Sequence, residues 1–358
     1  MKPKRPIDDW NGVKIPPGTS RDVELVVGES HTGITFKIPV HVRRGPSDGP
    51  VVFITAALHG DEINGAGAIR SLIQDENFQL KAGSAIMVPV LNVLGFDRHS
   101  RYLPDGRDLN RVFPGSISGS QASRFARVIF DEIVSRSDFG IDLHTAALRR
   151  TNFPSVRADL TNPEVKRLAT AFGSELILHG GGPKGSFRRA ACAANCPTIV
   201  LEGGEVWKVE PTIVECSIRG IRNVLIEKGM LGGDPVRSAS QLTVEKSKWV
   251  RAERGGFLRF HTAPGDLVEQ DQPLATTTSL LGQSQNVLVA PFNAVVIGMT
   301  TVPAASPGEP VCHIGKLAEG TKRIERLRVQ LSCDRLRERV VDDLAKNVLV
   351  FERPSNQH

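Results

Sequence analysis

The sequence predicts an α/β domain built on a mixed sheet, followed by a smaller all-β, barrel-like domain. Three observations carry this. Short apolar runs alternate with amphipathic stretches through roughly the first 235 residues, the pattern of strands interleaved with helices. Composition then shifts at 232–240, where GGDPVRSAS reads as a linker. Beyond it, from 245 to 316, short β-like runs are cut repeatedly by Gly and Pro. A length of 358 residues suits about two domains, and 40% hydrophobic content is ample for their cores.

In chain order, the expected strands are Val23–Val27, Thr35–Val42, Val51–Ala57, Ala85–Val90, Gly140–Leu143 and Thr198–Leu201. Apolar residues at helical spacing predict helices over Glu62–Asp75, Gln121–Ser135, Pro163–Phe172 and Val209–Lys228. The first domain spans 1–235, its first 45 residues forming an extension. The β domain spans 245–316 and contains two related turns, Pro264-Gly265-Asp266 and Pro307-Gly308-Glu309, each followed by a valine two residues on. Residues 317–358 form a C-terminal extension, in which Leu327–Leu349 fits helix or strand equally well.

The most informative segment is LHGDEINGAG, which places His59 and Glu62 just after the apolar run Val51–Ala57. A strand ending in a short loop can aim an imidazole and a carboxylate at one point. A catalytic zinc usually takes three protein ligands and leaves a position for water. The third ligand is expected at His144, where GIDLHTA ends a second apolar run. Between them lies RYLPDGRDLNRVFPG, residues 101–115, and TIVLEGGE follows at 198–205. On spacing alone, Asn110 and Arg111 could be turn residues after Pro-Asp-Gly.

HGDE, DLNRVFPG, DLHT and LEGG, in that order, make residues 45–315 similar to the succinylglutamate desuccinylase and aspartoacylase family, a branch of the zinc carboxypeptidase superfamily. The resemblance implies a zinc-carboxypeptidase-like α/β hydrolase that removes an acyl group from an amino acid or similar small amine. It assigns His59, Glu62 and His144 to one zinc ion per chain. It gives a substrate carboxylate to Asn110 and Arg111, carbonyl polarisation to Arg101, and general base and acid chemistry to Glu202. These assignments are chemically coherent. Zinc brings the pKa of its water toward about 7, a nearby carboxylate moves protons, and a guanidinium stays charged beside a developing oxyanion. Arg107 competes with Arg101, and Glu205 with Glu202, whose place at the end of Pro197–Leu201 favours it. Arg188 and Arg189 fit either the acyl end of a substrate or a solvated face.

The β domain resembles the small barrel of biotinyl and lipoyl carrier modules. No lysine stands at a hairpin tip, so carrier function is not implied; a cap that narrows access to the zinc pocket or mediates assembly is expected. Tyr102 is the only tyrosine, so the late tyrosine that better-known members bring to the substrate is missing. Either a residue of the second domain replaces it or that contact is dispensable.

Other classes are disfavoured. The start MKPKRPIDDW carries positive charge without an apolar stretch, so no secretory signal is expected. No run of about 18 apolar residues suggests a membrane span. Five cysteines are too sparse for a disulfide framework, and a cytoplasmic compartment is the simpler expectation. Net charge is +6, but the basic residues form no stripe and aromatics are only 5%. An anionic small substrate therefore fits better than nucleic acid. Gly180–Gly182 reads as a flexible loop at the mouth of the site rather than a phosphate cradle. The remaining histidines, His31, His41, His99, His179, His261, His313 and His358, are given no role. Hydrolysis of short peptides, or a metal-binding module without chemistry, are the alternatives. Homo-oligomerisation is left open.

Overall fold

The structure, a computed structural model, describes residues 5–238, 240–282, 285–317, 327, 329–331 and 334–348. Lys2, Lys4, Cys333 and most of the expected extension at 317–358 lie outside the described residues. A small ribbon, β1 (Asp9–Trp10) and β2 (Val13–Lys14), precedes the main body. The strands β3 (Ser20–Glu29), β4 (Thr35–Arg44), β5 (Ser47–Ala56), β6 (Ala82–Val88), β7 (Phe139–His144), β8 (Arg150–Ala158), β9 (Leu176–His179) and β10 (Thr198–Gly204) follow. Their spatial order is β8-β10-β7-β5-β6-β4-β3, with β9 beside β8. The centre, β10-β7-β5-β6, is parallel; β4 and β3 run antiparallel to their neighbours, and β8 is antiparallel to β10 but parallel to β9. The sheet is thus mixed.

Both of its faces are covered. Along β5, Val52, Ile54 and Ala56 point to one core and Phe53 to the other, as strand alternation requires. On the first face pack α1 (Asn64–Gln74), α4 (Pro163–Phe172) and α6 (Pro211–Glu227), through residues such as Ile69, Leu168 and Val224. On the second face pack α3 (Gln121–Glu132) and α5 (Phe187–Ala193), with Phe125 and Phe187 fully buried. A short helix, α2 (Val93–Phe96), supports the loop after β5. The ends of α4 follow from sequence. Asn162 accepts from the backbone of Glu164 and Val165, Pro163 occupies the first turn, and Gly173 ends the helix at φ 79°.

Among the described residues of 242–316 the regular elements are all strands: β11 (Leu242–Val244), β12 (Ser247–Arg251), β13 (Gly256–Phe260), β14 (Leu267–Val268), β15 (Pro273–Thr278), β16 (Gln285–Val289), β17 (Ala294–Thr300), β18 (Ala304–Ala305) and β19 (Pro310–Lys316). They do not form one isolated sheet. Strands β12-β19-β17, with β14 beside β17 and β11 beside β9, extend the large sheet to 13 strands, because β17 pairs with β8. Strands β16-β15-β13-β18 form a second sheet, and residues of both, including Phe260, Leu274, Val296 and Ile314, share one core.

Strand β8 was not expected from sequence, since Asn152, Pro154 and Ser155 interrupt its apolar pattern. Pro154 is tolerated at a gap in the ladders. On one side β8 changes partner from β17, up to Asn152, to β9, from Ser155; on the other, its register to β10 shifts between the same residues. The stretch Arg335–Val348 is a helix burying Leu336, Val340, Val341 and Leu344, which resolves the ambiguity at Leu327–Leu349 for its described part. No helix among the described residues is long and apolar enough to cross a membrane.

Candidate metal centre and active-site cavity

The parallel strands β5, β7 and β10 end side by side, and their C-terminal ends carry the chemistry, as in open α/β sheets. After β5 the chain turns sharply: Ala57 adopts a left-handed φ of 47°, a conformation that costs a non-glycine residue on the order of 1–3 kcal/mol. Gly60 follows, and a Cβ there would sit 2.1 Å from the backbone carbon of Gly95. Only glycine lets this loop close down on α2, which aims His59 and Glu62 inward. His144 ends β7, and it pairs in register with Glu202 on β10. Neighbouring parallel strands thus place these two side chains on one face.

His59, Glu62 and His144 are buried, and one donor atom from each lies within 4.8 Å of the others. His59 Nδ1 is 2.6 Å from Glu62 Oε1 but lacks hydrogen-bond alignment, and so has no hydrogen-bond partner. His144 Nδ1 lies 2.8 Å from Glu62 Oε2. Two nitrogens and a carboxylate converging in a buried pocket are what ligands of one cation present, so these residues fit a divalent metal with nitrogen and oxygen ligands. The outer nitrogens are held by carboxylates: His144 Nε2 by Asp142 at 2.8 Å and His59 Nε2 by Asp108 at 3.2 Å. Asp142 in turn accepts from the Thr55 hydroxyl at 2.7 Å. Such partners fix ring orientation and tautomer at metal-binding histidines. Sequence reasoning gave Asp108 and Asp142 no role, although both stand inside its motifs, DLNR and DLHT.

Burial alone would disfavour charge throughout this cluster, yet the neighbours prevail. Asp142 and Glu62 hold His144 well above the ordinary imidazole range, and Glu62 with Asp108 raises His59. Conversely, the histidines, and Arg101 at Asp108, hold Glu62 and Asp108 below the usual carboxylate range. Without a cation the triad retains protons that a metal displaces.

The triad opens into a cavity of about 470 Å³ that also takes in Arg101, Asn110, Arg111, Arg188 and Glu202. Arg101 donates to Glu62 Oε1 at 2.9 Å and to Asp108 at 3.3 Å. Its rival Arg107 is exposed, pairs with Asp105 and does not line the cavity. Asn110 Oδ1 accepts from the backbone of Phe187 at the start of α5, so its amide NH₂ is the group left for a ligand. Arg111 is half exposed and donates to the carbonyl of Asn110. Arg188 is buried; one terminal nitrogen donates to the carbonyl of Gly180, and the other has no partner. Arg189 instead is exposed and donates to the carbonyl of Gly182, outside the cavity wall. Glu202 lies 2.9 Å from Arg157 Nε and accepts from Asn152 Nδ2 at 3.3 Å. Its rival Glu205 pairs with Lys208 and Thr301.

Several lining residues were missed by sequence: Arg150, Asn152 and Arg157 on unexpected β8, His179, Trp249 on β12 and His313 on β19. No motif marks them, because the pairing of β17 with β8 brings the last strands to the site. Tyr102 does not line the cavity.

Comparison with known proteins agrees with this arrangement. Residues 48–227 match the succinylglutamate desuccinylase/aspartoacylase catalytic domain. The chain is 30% identical over 251 residues to N-alpha-acetyl-L-2,4-diaminobutyric acid deacetylase of Halomonas elongata, covering 66% of this chain and 73% of that one. A crystal structure of a succinylglutamate desuccinylase from a Silicibacter species superposes with a TM-score of 0.74 at 21% identity, over 88% of this chain and 98% of the other. An aspartoacylase family protein from Mesorhizobium loti gives 0.73 at 22%, over 89% and 100%. With half of its length matched to the catalytic domain and a relative at 30% identity, this chain belongs to the succinylglutamate desuccinylase/aspartoacylase family.

Proposed function

We propose that the protein is a zinc-dependent deacylase of N-acyl amino acids or closely related small amides, with one zinc per chain held by His59, Glu62 and His144. One observation carries this reading: the buried triad and Glu202 face the same arginine-lined cavity. The deacetylase activity named for the Halomonas relative supports the reaction class. Zinc bound at the triad supplies Lewis acidity, making water more acidic and the scissile carbonyl more electrophilic.

The chain's own residues then do the rest. Glu202, steadied by Arg157 and Asn152, takes a proton from the attacking water and returns it to the departing nitrogen. Arg101 offers fixed positive charge beside the triad for the developing oxyanion. Arg111 and the Asn110 NH₂ hold a substrate carboxylate, and the unpartnered nitrogen of Arg188 meets the acyl end. The strands of 245–316, as a barrel-like unit, wall the cavity and exclude a bulky peptide, which favours small substrates over the carboxypeptidase alternative.

Replacing Glu202 by Gln tests the central role. Zinc content should be unchanged while kcat falls by roughly 10²–10⁴, the usual contribution of a general acid–base. Unaltered turnover in the variant would remove Glu202 from the mechanism.

A further inference from the structure

Beyond the triad, side chains from three strands meet at Trp249 in the cavity wall. The Arg150 guanidinium lies over the Trp249 ring, 4.6 Å from its centroid. His313 stacks on Trp249 at 4.9 Å with 14° between planes, and its Nε2 is 2.9 Å from the Ser247 hydroxyl. Burial, then Arg157 and Arg150, push His313 down to about 4, so it is a neutral support at physiological pH. Arg150 itself has no ion pair and no side-chain hydrogen bond among the described residues. The stack leaves one cation, fixed in position on an aromatic face and unmatched.

The charge balance of the cavity points the same way. Each lining carboxylate is already engaged: Glu62 by the histidines and Arg101, Asp142 by His144 and Thr55, Glu202 by Arg157 and Asn152. None remains to receive a substrate ammonium. The distance also suits the far end of a small substrate. Across the sheet the register runs from Gly204, two residues past Glu202 on β10, through Asn152 on β8 and Gly298 on β17, to His313 and Trp249. At about 4.8 Å per strand and about 3.3 Å per residue along it, the backbone of His313 stands about 16 Å from that of Glu202.

We infer that Arg150, positioned by Trp249 and His313, is a specificity subsite for a second carboxylate of the substrate, distant from the scissile amide. This deepens the deacylase reading and rests on it. The selected substrate is a dianion, whether the second carboxylate belongs to the acyl group or to the amino-acid side chain. A cationic side chain, like that of acetylated diaminobutyrate, is disfavoured.

Steady-state kinetics on N-acetylalanine, N-acetylglutamate, N-succinylalanine and N-acetyl-2,4-diaminobutyrate test this in the wild type, Arg150→Gln, Arg150→Lys and Trp249→Leu. Calorimetric binding of glutarate, which has two carboxylates and no amide, is measured alongside. One dianionic substrate should exceed N-acetylalanine at least tenfold in kcat/KM; which one shows where the second carboxylate sits. Arg150→Gln and Trp249→Leu should raise its KM tenfold or more while altering N-acetylalanine less than twofold, and Arg150→Lys should restore part of the loss. Equal effects on both substrates, or a wild type that prefers the diamine, overturn the subsite. If the wild type cleaves none of the four, the deacylase reading fails instead. The subsite then stands only if Arg150→Gln weakens glutarate binding tenfold, and it falls if that binding is unchanged.

Discussion

Asp142 shows how much of a candidate metal site lies outside the residues that could ligate the ion. It is fully buried between Thr55 and His144, and burying a carboxylate is costly unless its partners are in place. That cost is offset by what it does for His144: the outer nitrogen is engaged, so the inner one faces Glu62 and His59. Replacing Asp142 by Asn should weaken zinc binding by roughly 10–100-fold, measured by competition with a chromophoric chelator. Unchanged affinity would make Asp142 a purely structural residue. At this scale the candidate ligands and Glu202 could be picked out because strand ends and family motifs coincide at His59, Glu62, His144 and Glu202, and the structure brings all four to one cavity. Asp108 and Asp142 were not, since an aspartate two residues before a motif histidine or asparagine reads as an ordinary turn or strand residue until its partner is seen.

Among the elements, β8 joins the two halves of the molecule. It lies between β10, which carries Glu202, and β17, which belongs to the last strands. At Gly298 of β17 a Cβ would come within 2.2 Å of Asn152 Oδ1 and 2.8 Å of the backbone oxygen of Thr151. Glycine there lets β17 press close enough for the Asn152 amide to turn toward Glu202. Gly298→Ala should therefore force β17 away from β8. A loss of stability on the order of 1–3 kcal/mol is expected, read as a lower urea midpoint, together with a reduced kcat. A variant as stable and active as the parent would show that the close approach is unnecessary. Strands β3 to β7 and β10, and helices α1, α3, α4 and α6, were legible because apolar periodicity and caps such as Asn162-Pro163 agree with the packing. Strand β8 was hidden because Pro154 is a strand breaker by local rules, and the partner change that accommodates it is a tertiary fact. The short β9 and α5, of four and seven residues, are too brief to show a period.

For the whole molecule, the mixed sheet does two things at once. Its parallel centre gathers the triad and Glu202 at strand ends, and its antiparallel extension through β17, β19 and β12 folds the C-terminal strands against the same cavity. A second, more apolar cleft of about 990 Å³ lies beyond Arg150, between Leu148, Phe257 and Leu281, and none of the triad lines it. The polar cavity of about 470 Å³ is where the triad, Glu202 and the lining arginines gather. That the late strands narrow the pocket was one of the two roles expected of a cap; how they reach it was not legible, because the linker at 232–240 suggests separation and the register of β17 on β8 leaves no local mark. The most direct test is to determine metal content and, on the same preparation, amine release from N-acyl amino acids and short peptides with and without chelator. One zinc per chain, with release from acyl amino acids that chelation abolishes and zinc restores, is the expected result. A folded protein that binds no metal, or whose hydrolysis is indifferent to chelator, would contradict the assignment of His59, Glu62 and His144.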